Sequence, residues 1–210
     1  MTERRTRSYG EARSFRGLER LAIQRRQWPA LKALEQLSSR PGHQAAKVLE
    51  LGCGYYGRNL RLLHEKFPEA DYTGVDLSVA QADAKGFRLL VGNLADWQPN
   101  QTYDLVLSLA VIEHLLDPLG HLELIAAGLK PEGIAVLTTP TPLADLPLRL
   151  LGRLGLFDYD EIDDHKAYFS KVGLHSLGQQ VGLTLDSYQK ASLGMNHVVH
   201  FTHQSEVAHA

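Results

Sequence analysis

Glu50-Leu51-Gly52-Cys53-Gly54-Tyr55-Tyr56-Gly57 is the stretch on which the reading of this 210-residue chain turns. It ends an apolar run, Gln44 to Leu51, that reads as a buried strand, and it passes into a segment carrying Leu60, Leu62, Leu63 and Phe67 at helical spacing. Strand, tight turn and helix follow one another. Glycines at such a turn let the backbone reverse sharply and let a ligand come close to it, because no side chain intervenes. As a bare spacing, G-x-G-x-x-G suits a dinucleotide equally well.

Further along, Asp71 to Asp76 reads as a second strand ending in an acid, and Phe87 to Val91 as a third, running into Gly92-Asn93. Tyr103 to Ser108 reads as a fourth. Asp117 as N-cap and Pro118 at the first helical position open a helix with Leu119, Leu122, Ile125 and Leu129 inward. Lys130 to Gly133 then turns the chain into a fifth strand, Ile134 to Thr139. Strands alternating with helices at this pace call for a mostly parallel sheet covered on both faces, with right-handed connections. Beyond Pro140 a proline- and leucine-rich stretch reaches about Asp164. Phe169 to Val181 looks helical, and Leu183 to Tyr188 with Met195 to Thr202 suggest a closing antiparallel pair. On the other side, Phe15, Leu18, Leu21 and then Leu31, Leu34, Leu37 recur at helical spacing, with Trp28-Pro29 expected to separate two helices.

Asp76 lies 24 positions after Gly52, at a strand end where a carboxylate can accept both hydroxyl hydrogens of an adenosine ribose. A nicotinamide cofactor and S-adenosylmethionine present the same ribose, so other residues must choose. Glu50 is a poor neighbour for a pyrophosphate and a suitable acceptor for the ammonium of a methionine moiety. A negative cleft also suits a sulfonium. Asn93 can meet the adenine exocyclic amine, and the chain has no second domain for a hydride donor's substrate. Together these features favour the sulfonium cofactor.

In order along the chain, Val48 to Gly54 is similar to the first motif of the class I S-adenosylmethionine-dependent methyltransferase superfamily, in its small-molecule branch. Tyr72 to Ser78 is similar to the second and Gly92-Asn93-Leu94 to the adenine-contacting third. Tyr103 to Ser108 with Val111-Ile112-Glu113-His114-Leu115 resembles the fourth, and Leu129 to Gly133 the turn before the fifth strand. The resemblance covers roughly residues 44 to 140. It implies a Rossmann-like three-layer α/β/α sandwich with a mostly parallel seven-stranded sheet and a C-terminal antiparallel strand. It also implies a cofactor, S-adenosyl-L-methionine, held among Glu50, Gly52, Cys53, Gly54, Asp76, Leu77, Asn93, Leu94 and Leu109. Two departures stand out: Asn93 replaces the usual aspartate, which an amide can do as acceptor, and bulky Tyr55 and Tyr56 follow Gly54. They can narrow the cofactor mouth, stack on a substrate or simply pack.

Methyl transfer to oxygen or nitrogen is an in-line displacement for which the protein supplies orientation and, for a hydroxyl acceptor, a base; a neutral histidine suits that task. His165 is the first candidate, because Asp163 to Phe169 brings acid, imidazole and phenol together after the segment expected to cover the active site. The competing reading has Asp164 capping a helix and His165 exposed in its first turn. His114, in the fourth motif, is the weaker candidate. Cys53 is rejected as a nucleophile, since a thiolate acting on pyrimidines belongs after the fourth strand, where Ser108-Leu109-Ala110-Val111 stands. That region also lacks the Asn/Asp-Pro-Pro-aromatic cluster that grips an exocyclic amine, which disfavours base methylation. Pro142 to Phe157 carries seven leucines with Arg149 and Arg153 between them. It reads as an apolar wall for a hydrophobic small-molecule acceptor, or as a sheet-covering helix or homodimer contact.

Length and composition set the outer bounds. At 44% hydrophobic and 22% charged residues, the chain is expected to form a single globular domain: a helical segment over 1–40, a cofactor-binding core over 44–140, a substrate-side cap over 141–169, and a final helix and strand pair over 170–210. Residues 1 to 26 carry eight arginines against three glutamates, a charge of +5, which leaves −7 for the rest of a chain whose net charge is −2. No aromatic-basic platform accompanies that leader, so nucleic acid is disfavoured as a partner. Cys53 is the only cysteine, leaving no intramolecular disulfide and no cysteine cluster for a metal. With no secretory signal or membrane-length apolar run, a cytoplasmic protein without stable membrane insertion is expected. Two rival functions are a nicotinamide-dependent oxidoreductase and an RNA-directed or non-catalytic protein that uses the basic leader.

Overall fold

The computed structural model describes residues 17–40, 45–81, 83–144 and 166–204. Helix α1 (Gly17–Ser38) leads into β1 (Lys47–Leu51), α2 (Arg58–Lys66) and β2 (Asp71–Asp76). A two-residue strand β3 (Asp83–Ala84), then β4 (Phe87–Val91), β5 (Tyr103–Leu109), α3 (Pro118–Gly128) and β6 (Leu129–Pro140) follow. After the undescribed residues 145–165 come α4 (Lys171–Gln180), β7 (Leu183–Ala191) and β8 (Asn196–His203).

The sheet has the order β3-β4-β2-β1-β5-β6-β8-β7. Its five central strands, β4, β2, β1, β5 and β6, run parallel. β8 lies antiparallel to both β6 and β7. Seven longer strands carry the sheet, and short β3 pairs antiparallel with β4 on the edge. This is the expected mostly parallel sheet with a reversed C-terminal strand.

Both faces are covered, which explains why the central strands are apolar throughout instead of alternating. In β1 and β5, Val48, Leu105 and Leu107 pack towards Ala33, Leu34 and Leu37 of α1 and Leu60 and Leu63 of α2. On the opposite face Leu49, Leu51 and Val106 meet Leu122 and Ile125 of α3 and Leu174 of α4. The period-two alternation also sends Glu50, two residues on from Val48, to the α1–α2 face. Helix α3 begins as its sequence requires: Pro118 opens it, and the Asp117 carboxylate accepts the Gly120 N–H at 2.9 Å.

One expectation is corrected. No break occurs at Trp28-Pro29; α1 runs through Pro29 without interruption. The missing amide costs one intrahelical bond, but the turns that follow bury Ala30, Ala33, Leu34 and Leu37 against the sheet, and this packing outweighs the local preference. Trp28 projects from the helix with 51% of its surface exposed and Lys32 over its ring. The arginine-rich residues 1–16, most of the leucine-rich stretch (145–157) and His165 lie outside the described residues. Among the described residues, no helix is long and apolar enough to cross a membrane.

Candidate functional site

The chain leaves β1 towards β2 on one side and later returns as β5 on the other, so a crevice opens above the C-terminal ends of these strands, the usual ligand position in such sheets. The glycine loop lines it. Gly52 N–H and Cys53 N–H both donate to the Val75 carbonyl, at 2.8 and 3.1 Å, folding the loop over the end of β2. Gly52 has φ +73°, and a Cβ there would lie 2.5 Å from Val111 Cγ2, so Val111 fills its side-chain space and only its main chain faces the crevice. Gly54 has φ +70° and is open: no atom lies within 4 Å of where a Cβ would stand. Its N–H donates to Asp76 Oδ2 at 2.8 Å, which aims that carboxylate across the crevice.

Glu50 is wholly buried at the end of β1. One carboxyl oxygen, Oε1, accepts the Asn59 amide N–H at 2.6 Å; the other, Oε2, is buried with no hydrogen-bond partner. Burial is the main force holding this carboxyl up at about 7, and the nearby Asp76 carboxylate adds to it. The Asn59 amide and the Leu60 backbone N–H, at the head of α2, pull the other way. A carboxyl buried beside another and lacking a partner on one oxygen keeps its proton or is matched by a cation.

The remaining expected cofactor residues fall at or just beyond the ends of β1, β2, β4 and β5. Cys53 is buried, its thiol pushed far up by desolvation and by the Glu50 and Asp76 charges; this fits a packing role and not a nucleophile. Leu77 follows Asp76 with 70% of its surface exposed, and Leu109 is buried at the end of β5. Asn93 is exposed, and its Oδ1 accepts the Ala95 N–H at 3.2 Å while Nδ2 donates to Asp96 at 3.4 Å. The amide is thus oriented by its own turn and retains a second lone pair on Oδ1. Leu94 and Trp97 both pack against the core on the α3–α4 face. Tyr55 and Tyr56 meet edge to face at 4.8 Å, with Arg58 over the Tyr56 ring.

On the far wall, Ala110 takes φ +59° directly after β5, a left-handed conformation costing a non-glycine residue about 1 to 2 kcal/mol. It delivers Val111 onto Gly52 and starts the 3-10 turn Ile112–His114. Glu113 in that turn is buried, its Oε2 accepts the Thr139 hydroxyl at 2.9 Å, and its backbone carbonyl accepts the N–H groups of Lys166 and Ala167. His114 is half-buried in the same turn. Two other histidines are structural. His121, pressed down to about 4 by burial, bonds Ser108 at 2.8 Å. His197 joins the Tyr188 hydroxyl at 2.9 Å to the Phe169 carbonyl at 2.8 Å.

Strand order, one reversed strand, a glycine loop at the end of β1 and an acid at the end of β2 define a Rossmann-like fold of the methyltransferase class. A family model described as a methyltransferase domain matches residues 18–188, and the chain belongs to that family, within the class I S-adenosylmethionine-dependent methyltransferase superfamily. Trans-aconitate 2-methyltransferase of Shigella flexneri serotype 5b (strain 8401) is 33% identical over 116 residues, covering 51% of this chain and 44% of the relative. The chain spans about half the length of the curated relatives it matches. Among solved structures, a chain from the complex between the Haloferax volcanii Trm112 methyltransferase activator and a methyltransferase aligns with TM-score 0.66 and 18% identity, over 88% of this chain and 93% of that one. Magnesium protoporphyrin IX methyltransferase (ChlM) from Synechocystis PCC 6803, with bound SAH, aligns with TM-score 0.65 and 14% identity, over 93% and 90%.

Proposed function

We propose that this protein transfers a methyl group from S-adenosyl-L-methionine to an oxygen or nitrogen of a small-molecule acceptor. The observation that carries the reading is the buried, half-partnered Glu50 carboxyl beside Asp76 and the open backbone of Gly54. These residues fit the cofactor's cationic methionine end and its ribose. Glu50 would hold the ammonium, Asp76 the ribose hydroxyls, and Gly52 and Gly54 would let the cofactor lie against the main chain. Leu77, Leu94 and Leu109 would bound the adenine side, with Asn93 at its exocyclic amine. Bound there, the cofactor supplies a methyl group already activated by a sulfonium. The chain's contribution is to hold donor and acceptor in line and keep water out, and such positioning can supply roughly 7 to 11 kcal/mol in favourable cases.

Titration calorimetry with S-adenosylhomocysteine and, separately, with NADH tests the cofactor. Binding of S-adenosylhomocysteine and none of NADH is expected; the opposite result overturns the reading. Trans-aconitate is the first acceptor to try, because relatives at 33% identity bear its name. A carboxylate acceptor is already ionised at neutral pH and needs no base. For a hydroxyl acceptor His165, or second His114, is the proposed base. His165→Ala should then cut turnover by about a hundredfold and leave S-adenosylhomocysteine affinity as it was; unchanged turnover removes it from the mechanism.

A further inference from the structure

The geometry points to Gln27 of α1 as a positioning residue for Glu50, acting through Asn59, so that the N-terminal helix completes the site for the cofactor's ammonium group. This rests on the reading of Glu50 proposed above. Gln27 is buried, with 9% of its surface exposed, in a helix otherwise seated through alanines and leucines. Its Nε2 donates to Asn59 Oδ1 at 2.9 Å, and Asn59 Nδ2 donates to Glu50 Oε1 at 2.6 Å. Three polar side chains from α1, α2 and β1 thus form one directed chain that ends on a carboxyl whose second oxygen has no partner.

The direction matters. An ionised carboxylate only accepts, so Asn59 must turn its nitrogen towards Glu50, which leaves its oxygen facing α1. Gln27 gives that oxygen a donor, and a fully bonded amide is the more polarised donor to the carboxylate. Without Gln27, the orientation that serves ionised Glu50 leaves Asn59 Oδ1 short of a partner in a part-buried setting. The other groups acting on Glu50 are the Asp76 carboxylate at the end of β2 and the Leu60 backbone N–H of α2, while the neighbouring Cys53 thiol is itself raised by Glu50. Neither of the two touches Gln27, so a shift in Glu50's behaviour reports on the relay.

The test is the affinity for S-adenosylhomocysteine, measured by calorimetry from about pH 6 to about pH 9 on the full chain and on Gln27→Met and Gln27→Glu. Binding by the unaltered chain should weaken on the acid side of about pH 7, where Glu50 takes up a proton. Gln27→Met, similar in length and apolar, should move that midpoint upward by about half a unit to one unit, weakening binding about threefold to tenfold below the midpoint, with the gap closing towards about pH 9. Gln27→Glu should shift it further, because a second carboxylate competes for the Asn59 nitrogen. Asn59→Leu, which removes the donor itself, is the second variant if the first does not fold, and its midpoint should rise at least as far. An unmoved midpoint, whether affinity is unchanged or uniformly reduced, overturns the inference and leaves Gln27 as packing. Failure of the unaltered chain to bind S-adenosylhomocysteine at any pH instead overturns the cofactor reading, so the two outcomes are distinct.

Discussion

Asp76→Ala should weaken binding of S-adenosylhomocysteine by at least about a hundredfold while barely changing the stability of the ligand-free protein. A carboxylate that accepts two ribose hydroxyls makes two hydrogen bonds to a charged group, each worth about 1.5 to 3 kcal/mol, and about 1.4 kcal/mol is a factor of ten in affinity. The effect is large because the carboxylate is held in advance: Gly54 N–H binds Oδ2 at 2.8 Å, and little side-chain freedom remains to be lost when the ribose arrives. Stability should hardly move, since Asp76 is only part-buried and Gly54 N–H then faces the crevice, where water replaces the lost acceptor. Removing the charge also relieves Glu50, which Asp76 pushes up. Asp76→Asn keeps one acceptor oxygen and should fall between the two. Calorimetry checks the series; a loss below about fivefold, under 1 kcal/mol, would remove Asp76 from ribose binding.

Glu50→Gln should do two opposite things: stabilise the ligand-free chain at about pH 8, and weaken its hold on S-adenosylhomocysteine by at least about tenfold. With the carboxyl raised from its ordinary 4.5 to about 7 by burial, ionising it inside the folded chain costs about 3 kcal/mol. The sign follows from proton uptake. Below 4.5 the group is protonated folded or unfolded and costs nothing; between 4.5 and about 7 only the folded state keeps the proton, so stability falls as pH rises; above about 7 the full penalty stands. Glutamine never ionises and escapes it. Urea denaturation should therefore show the variant gaining up to about 3 kcal/mol at about pH 8 and nothing at about pH 4. The same physics makes cofactor binding proton-linked: an ammonium group stabilises the charged carboxylate, so binding near pH 6 should release a proton, measurable in buffers of different ionisation enthalpy. A variant that is no more stable at about pH 8, or that binds as tightly as the unaltered chain, contradicts this role for Glu50.

Much of this framework is written in local patterns. The strands Asp71–Asp76 and Phe87–Val91 fall where the sequence places them, and Asp117-Pro118 marks the start of α3 through an N-cap of the kind short polar side chains make. Gly52, Gly54 and Asp76 are legible because backbone geometry and ribose recognition demand particular residue types at strand ends. What escapes is set by distance along the chain. Gln27 and Asn59 look like ordinary polar positions on amphipathic helices, and nothing local says that residues 32 apart meet each other over Glu50. Pro29 reads as a helix break because its cost is local and the packing of Ala33, Leu34 and Leu37 that overrides it is not. Ala110 leaves no trace at all, since glycine would be the expected bearer of φ +59°.

Glu113 has a wider consequence. Its carbonyl moors Lys166 and Ala167, while Thr141, at the other end of the excursion, is tied through its N–H and hydroxyl to Met195 and Gly194. The described residues on either side of 145–165 are therefore tied down at two fixed posts. Closing a longer loop between fixed ends is inexpensive, about 0.6 kcal/mol for each doubling of length. Two such posts let a lineage vary the length of chain between them while the register of β6, β8 and the glycine loop is inherited unchanged.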